Sequence, residues 1–319
     1  MTTSHPTPTH KTQSRASSAL MVELAKITQP PIFRGIITAA EVQALMSKVG
    51  IDLPRLMLEL SSVASQYAVV PISGRHIGAI ACGLSGNLYF GASMEFSGQP
   101  LSFCTHAEEA ATINAWVNGE QGLTLLAVDG APCGDCRQFL YETANAAQLS
   151  IVLPEDKVPL TTLLPFALGP SDLGISGGFL SHQHHGLSLM KPNSDPAVLG
   201  ALAAANMSYA PYTNAFAGVG ILMTDGTVCG AAYAESAACK SSISPIEAAL
   251  SMLNLWGYSY ALISQVALVQ VQGTKVPQNT LTERVLDVLG SPPFTSAYAL
   301  GPLPEEGMTD ITDSAATRH

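Results

Sequence analysis

The stretch from Cys104 to Gln138 contains the residue types and spacings in this chain that favour metal chemistry. His106, Cys133 and Cys136 are good zinc ligands, and a proline directly precedes the first of the two cysteines. A zinc ion held by three protein ligands keeps its fourth position open for water, whereas structural zinc sites usually fill all four positions. The pattern therefore predicts a catalytic zinc site.

Glu108 follows His106 by two residues and is a candidate proton carrier. Zinc lowers the pKa of a bound water from about 15.7 to about 7, and a neighbouring carboxylate can move the released proton. A regular helix turns residues two apart to different sides, so we expect a helix to begin irregularly at His106. The spacing of Cys133 and Cys136 also suits the start of a helix, where backbone N–H groups stabilise thiolates.

These residues and their neighbours are also compatible with other roles. Cys104 could complete a structural four-ligand site, but we interpret it as a small packing residue. Cys133 and Cys136 could be a redox pair beside an ordinary helical histidine, but the order of the motifs favours zinc. His182, His184 and His185 could bind a second metal ion, but we interpret their Gly- and Ser-rich surroundings as a solvated loop.

Composition limits the class of protein. The chain has 319 residues, of which 47% are hydrophobic, and this length favours about two domains. A net charge of -10 and the lack of a basic patch argue against a nucleic-acid partner. Six cysteines in a chain this long favour a reducing compartment over a disulfide framework. With no apolar run of ~20 residues and no signal peptide, we predict a soluble cytoplasmic protein without membrane contact.

The amino-terminal segment leaves the compartment open. Lys11 and Arg15, with no acidic residue nearby, faintly resemble a transit peptide, so an organelle is not excluded. We favour a disordered tail over residues 1–17 and a second tail over residues 305–319. A helical segment follows at 18–51, where Thr38 and Glu41 form a capping box.

Strand and helix patterns alternate twice along the rest of the chain, which indicates an α/β fold used in tandem. The first copy spans 52–172, a linker spans 173–194, and the second copy spans 195–304. In the second copy we predict a helix over 202–209, a hairpin from Ala217, and Pro245–Glu247 in the place of His106–Glu108. No Pro-Cys-x-x-Cys follows there, so we expect the second copy to be degenerate and non-catalytic.

Motifs along 53–270 resemble those of the two-domain, homodimeric cytidine deaminases of bacteria and plants. The matching segments are Gly78-Ala-Ile, Leu88-Tyr-Phe-Gly-Ala, Met94-Glu-Phe, Thr105-His-Ala-Glu, Pro132-Cys-Gly-Asp-Cys-Arg-Gln-Phe, Leu168-Gly-Pro-Ser-Asp-Leu, Ala203-Ala-Ala-Asn and Tyr209-Ala-Pro-Tyr. The resemblance implies tandem three-layer α/β/α domains and one Zn²⁺ per chain. It also implies hydrolytic deamination of cytidine and deoxycytidine in pyrimidine salvage, by a homodimer in which each site is completed by the partner subunit.

Carried over by position, the resemblance assigns roles to particular residues. His106, Cys133 and Cys136 hold the zinc ion, and Glu108 is the proton shuttle. The segment that binds ribose hydroxyls in the family reads Ser93-Met94-Glu95 here, and backbone groups of Ala107 and Ala131 contact the base and the leaving amine.

Three positions depart from the family pattern. Ser93 replaces an Asn at the sugar, Arg75 replaces a Phe that stacks on the pyrimidine, and Leu168 replaces a Phe supplied by the partner. Arg75 could stack through its planar guanidinium, or Phe166 or His76 could take the place of the lost ring. We favour neutral change in a cytidine pocket. The alternatives are a deaminase for another aminopyrimidine nucleoside or nucleotide and a catalytically silent zinc-binding homologue; polynucleotide editing is disfavoured by the net acidity.

Overall fold

The computed structural model describes residues 17–28, 33–100 and 103–301. Residues 1–16 and the whole of the predicted carboxy-terminal tail lie outside this part of the chain. Ser17, which was assigned to the first tail, is the N-cap of the first helix, and its backbone N–H donates to Glu59 Oε2 at 2.9 Å.

The amino-terminal segment is built by strong local signals. It contains α1 (Ser18–Ile27), β1 (Ile36–Ile37), α2 (Ala39–Val49) and α3 (Leu53–Ala64). The predicted capping box between Thr38 and Glu41 is present, and Gly50 ends α2 in the left-handed conformation. Asp52 caps α3 by accepting from the N–H of Arg55. The predicted capping box is therefore confirmed.

The first sheet is the middle layer of three. The chain continues with β2 (Gly78–Gly83), β3 (Leu88–Ala92), β4 (Met94–Glu95), β5 (Cys104–Thr105), α4 (Ala107–Val117), β6 (Leu123–Val128), α5 (Gly134–Tyr141), β7 (Ser150–Val152), β8 (Lys157–Pro159) and α6 (Leu160–Leu163). The strand order is β1-β3-β2-β6-β7-β8, with β6 and β7 parallel. Alternate residues of β2 face opposite sides, so Ile80 packs in the cluster of α3 and Ala79 in the cluster of α4.

The second half repeats this plan. It contains β9 (Ser188–Leu189), α7 (Pro196–Asn206), β10 (Ala217–Met223), β11 (Val228–Ala232), α8 (Pro245–Leu255), β12 (Ile263–Val271), α9 (Asn279–Val288) and β13 (Phe294–Leu300). The strand order is β11-β10-β12-β13-β9, and β12 and β13 are parallel around α9 as β6 and β7 are around α5. The two halves meet where α4 packs against α8. Tandem mixed sheets flanked by helices therefore confirm the α/β prediction.

Two predictions about the second half were wrong in position. The helix predicted over 202–209 is α7, which begins at Pro196 because Asp195 caps it and proline fits the first turn. The predicted match of 245–247 with 106–108 is wrong by one residue. Ser244 and His106 are the equivalent N-caps, so Ile246 matches Glu108.

The predicted linker is packed into the molecule. Phe179 is fully buried, and its ring contacts the rings of Trp116, Phe139 and Tyr209 at centroid distances of 4.6, 5.3 and 5.7 Å. Its last part supplies β9 to the edge of the second sheet. Within the described residues, no helix has the length and apolar content needed to cross a bilayer.

Gly91 sets the distance between the first sheet and α4, which begins directly after His106. A Cβ atom at this position would lie 2.2 Å from both the carbonyl oxygen of Ala107 and the nitrogen of Ala111. Both atoms are backbone, so they cannot give way without moving the helix. Glycine is therefore required here for the close approach of strand and helix.

We predict that Gly91→Ala lowers the free energy of unfolding by about 3 kcal/mol, because overpacking forces α4 away from the sheet. Urea denaturation measures this change. Gly134→Ala is the matched control, because no atom lies within 4 Å of its added Cβ. Equal stability of the two variants would contradict the packing account.

Candidate active site

Two helix starts place the three candidate ligands together. His106 is the N-cap of α4 and has extended backbone angles (φ -78, ψ 159), while Ala107 is the first helical residue. Cys133 is the N-cap of α5 (φ -68, ψ 171), and its sulfur accepts from the N–H of Cys136 at 3.4 Å. The irregular helix start expected at His106 is therefore present, and the dipoles of both helices favour negative charge at this point.

The donor atoms of His106, Cys133 and Cys136 lie within 4.8 Å of one another. The distance between the two sulfurs is 3.5 Å, and His106 Nδ1 lies 3.1 Å from Cys136 Sγ and 3.4 Å from Cys133 Sγ. Tetrahedral zinc, with Zn–S near 2.3 Å and Zn–N near 2.0–2.1 Å, separates its sulfur ligands by roughly 3.8 Å and nitrogen from sulfur by roughly 3.6 Å. The donor set therefore fits a zinc ion. Among the described residues, no other His/Cys/Asp/Glu group of three or more could hold a metal, and Cys104 is outside this one.

The thiols are poised to bind a cation. The hydrogen bond with the Cys136 thiol, followed by the N–H groups at the start of α5, lowers the pKa of Cys133 to about 5. The pKa of Cys136 is raised instead, because Cys136 keeps the proton in its hydrogen bond with Cys133 and because its thiol is buried. One thiolate is thus present near neutral pH before any metal binds.

Two consecutive glutamates at the start of α4 have different positions. Glu108 is buried, and burial raises the pKa of its carboxyl. Glu109 instead turns back, and its Oε2 accepts from the backbone N–H of His106 at 2.8 Å. Burial raises the pKa of Glu109 to about 8. Glu109, which sequence reasoning passed over, is therefore the residue that fixes the backbone of His106; its signal is the acidic residue three positions after the cap.

A cavity of about 440 Å³ brings the predicted site residues together. Its walls include Ser93, Met94, Glu95, Ala107, Glu108 and Ala131, together with His106 and Cys133. Cys136 is fully buried and lies outside the set of lining residues. Arg75 lines the cavity too, whereas Phe166 and Leu168 do not and are exposed to solvent.

The sugar-binding candidates are also tied to a neighbouring turn. Glu95 Oε2 accepts from the N–H groups of Ile72 and Ser73 at 3.0 and 2.9 Å. Desolvation acts to raise the pKa of Glu95, but hydrogen bonds from the Ser73 side chain and these N–H groups outweigh it and lower the pKa. Ser93 Oγ accepts from the N–H of Ile77 at 3.2 Å. Glu95 is therefore anionic and holds the turn that carries Arg75.

The second half contains the same turn. Glu235 Oε2 accepts from the N–H groups of Tyr212 and Thr213 at 3.0 and 3.2 Å, as Glu95 does from Ile72 and Ser73. The signal in the sequence is the repeated pattern Pro-Ile-Ser-Gly at 71–74 and Pro-Tyr-Thr-Asn at 211–214, which sequence reasoning missed. This bonding is present in the second half although Ser244 and Ile246 occupy the positions of His106 and Glu108 there.

Comparison with known proteins agrees with this geometry. Two family models, both described as the cytidine and deoxycytidylate deaminase zinc-binding region, match residues 53–152 and 160–283. The cytidine deaminase of Aeromonas salmonicida (strain A449) is 40% identical over 259 residues, covering 81% of this chain and 88% of the relative. The chain belongs to the cytidine deaminase family.

A second relative matches over a similar length. The cytidine deaminase of Shewanella sediminis (strain HAW-EB3) is 42% identical over 246 residues, covering 76% of this chain and 82% of that protein. A crystal structure of cytidine deaminase from Mycobacterium tuberculosis covers 34% of this chain and 91% of that chain, at 30% identity and a TM-score of 0.32. The matching family models describe a zinc-binding region, so zinc is the cofactor of this deaminase. Among the described residues, the group of His106, Cys133 and Cys136 could hold it.

We predict that wild type contains one zinc ion per chain, that Cys133→Ala loses it, and that Cys104→Ala retains it. The reason is that Cys104 lies outside the donor cluster whereas Cys133 is one of its two sulfurs. Elemental analysis of the purified proteins measures the zinc content. Zinc loss in Cys104→Ala would support the structural four-ligand alternative instead.

Proposed function

We propose that this protein hydrolyses cytidine and deoxycytidine to uridine and deoxyuridine with release of ammonia, as a step of pyrimidine salvage. The observation that carries the proposal is the placement of Glu108 in the wall of the same cavity as His106 and Cys133. A zinc ligand set beside a buried carboxylate that is not a ligand is the arrangement that zinc deaminases use. The cytidine deaminases that match at about 40% identity support the same substrate.

In the proposed mechanism, zinc supplies an activated water when it is bound. Glu108 would accept one proton of that water and deliver it to the ring nitrogen beside the amino-bearing carbon, to which the hydroxyl adds. It would then move the proton of the added hydroxyl to the amino group, which leaves as ammonia as the carbonyl forms. Burial suits this role, because it raises the pKa of Glu108 and so brings it nearer to neutral pH. The backbone groups of Ala107 and Ala131 orient the base and the amine from the cavity wall.

The sugar half of the substrate is assigned to Ser93, Met94 and Glu95. A carboxylate that accepts from a sugar hydroxyl forms a charge-assisted hydrogen bond, so Glu95 is the main sugar contact. The Ser93 hydroxyl is already bonded to the backbone at Ile77 and is shorter than an asparagine amide, so its contribution is smaller. Arg75 adds a cation to the rim of the cavity. The similarity to cytidine deaminases favours the nucleoside over the nucleotide and silent-homologue alternatives.

We predict that Glu108→Ala lowers kcat on cytidine by at least about a hundredfold, because the proton carrier is removed. The decrease in absorbance as cytidine becomes uridine measures the rate, with deoxycytidine and dCMP assayed in parallel. Zinc content serves as the control and should stay at the wild-type level. Zinc loss in this variant would make Glu108 a ligand, and a wild type that converts none of these substrates would support the silent homologue.

We further propose a cytoplasmic homodimer in which each site is completed by the partner subunit. The segment from Phe166 to Leu173 supports this assignment, because Leu168 is 42% exposed, Leu173 is 48% exposed and Phe166 is fully exposed. Phe166 also has a positive φ of 54, which is uncommon for a bulky residue, and so projects from the surface. The proposed division of the chain is a helical segment at 18–51, a catalytic domain at 52–172, a linker at 173–194 and a non-catalytic domain at 195–304.

We predict that Phe166→Asp weakens dimerisation at least about tenfold, because an aromatic side chain that the proposed interface would bury is replaced by an unpaired charge. Sedimentation velocity over a dilution series measures the dissociation constant. Leu84→Asp is the matched control, since Leu84 is 59% exposed on the turn between β2 and β3. A wild-type monomer at micromolar concentration would contradict the dimer.

A further inference from the structure

Glu142 is a fully buried carboxylate at the carboxyl end of α5, where it is the C-cap residue. Its Oε1 accepts from the hydroxyls of Tyr209 and Tyr212 at 2.8 and 2.5 Å. Its Oε2 accepts from the backbone N–H of Ala237 at 2.9 Å. All three donors belong to the second half of the chain, and no ion pair of the described residues involves Glu142.

A buried carboxylate is stable only while its oxygens are hydrogen-bonded, and removal of its partners is strongly destabilising. Tyr209 and Tyr212 are suited to donate, because burial and the nearby charge of Glu142 raise the pKa of both hydroxyls and keep them protonated. The contact therefore holds the second domain against this end of α5. We call this set of four residues, Glu142, Tyr209, Tyr212 and Ala237, the clamp.

The same short helix carries the zinc ligands at its other end. Cys133 is the N-cap of α5 and Cys136 lies in its first turn, so about 14 Å and about 9 Å of helix rise separate them from Glu142. The ring of Phe139 in α5 also contacts the ring of Phe179, which in turn contacts the ring of Tyr209. The ion pair between Lys240 and Asp135 at the ligand end is exposed and contributes little. The clamp is thus the buried polar link between the second domain and this helix.

We propose that Glu142 is a positioning residue through which the non-catalytic domain sets the placement of Cys133 and Cys136. Metal–ligand distances in zinc sites lie within about 0.2 Å of their standard values, so a small tilt of this helix of eight residues would change the geometry of the site. This role explains how a domain without the ligand set contributes to the metal centre. The inference rests on the proposed zinc site, and it does not depend on which base is deaminated.

The test uses Glu142→Gln, which replaces one of the two acceptor oxygens of the clamp by an amide N–H₂ donor, and the double variant Tyr209→Phe with Tyr212→Phe. Competition with a chromogenic chelator measures zinc affinity in the full-length protein. We expect a 10- to 100-fold weaker affinity, the range found when groups that orient metal ligands are removed. With zinc in excess, kcat for cytidine should fall while KM changes less than about threefold, because Ser93 and Glu95 lie outside α5.

Tyr258→Phe is the matched control. Its hydroxyl bonds to Asp225 Oδ2 and Thr227 Oγ1 within the second domain, away from α5. Zinc affinity should be unchanged in this variant. A folded Glu142→Gln protein with wild-type zinc affinity and kcat, but lower thermal stability, would overturn the proposal by making the clamp a purely structural contact.

A milder variant decides the question if the stronger ones do not fold. Tyr212→Phe alone leaves Glu142 two of its three donors and should give a smaller but measurable loss of zinc affinity. Wild-type zinc affinity in this variant would then overturn the proposal. Because the chelator assay needs no substrate, a wild type that fails to convert cytidine would contradict the proposed function without affecting this result.

Discussion

The two helix starts at His106 and Cys133 meet at one point, and the rest of the structure depends on that meeting. Each N-cap supplies a candidate zinc ligand, so neither candidate can move without shifting the first turn of its helix. Backbone N–H groups from both helices then favour the thiolate and anionic forms that a cation binds. The active site is therefore a property of how α4 and α5 are held.

Different parts of the molecule fix these two helices. The close contact at Gly91 sets α4 against the sheet, and Glu109 closes its first turn onto His106. For α5, Arg137 donates to the carbonyl groups of Pro132 and Leu163 within the first domain, while Glu142 is bonded to the second domain. The second domain, which lacks a ligand set in the described residues, still contacts the helix that bears two of the ligands.

The fold and the metal site were largely predictable because their signals are local. The capping box at Thr38, the hairpin from Ala217 and the spacing of Cys133 and Cys136 each involve a few neighbouring residues. Positions that depend on distant contacts were not predictable. Strand β13 is not predicted from the sequence, because most of its residues are partly or fully exposed. Its parallel pairing with β12 is what identifies it as a strand.

The errors in the second half have the same origin. The alignment of 245–247 followed the resemblance of Glu247 to Glu108, but the capping geometry pairs Glu247 with Glu109. The burial of Phe179 within a glycine-rich segment is likewise set by the aromatic rings of both halves, not by neighbouring residues. Polar clusters such as that of Glu142 have no sequence signature at all, since their donors lie 67 to 95 residues away.

The same turn occurs once in each half of the molecule, bonded by Glu95 in the first half and by Glu235 in the second, so the two can be compared directly. Both carboxylates bond two successive backbone N–H groups, but only Glu95 belongs to the proposed substrate cavity. The decrease in the free energy of unfolding when Glu235 is removed therefore measures what such a turn contributes to folding. Any additional cost at Glu95 that depends on substrate belongs to recognition. Within one chain, Glu235 therefore shows the folding role alone, whereas Glu95 combines it with the proposed substrate contact.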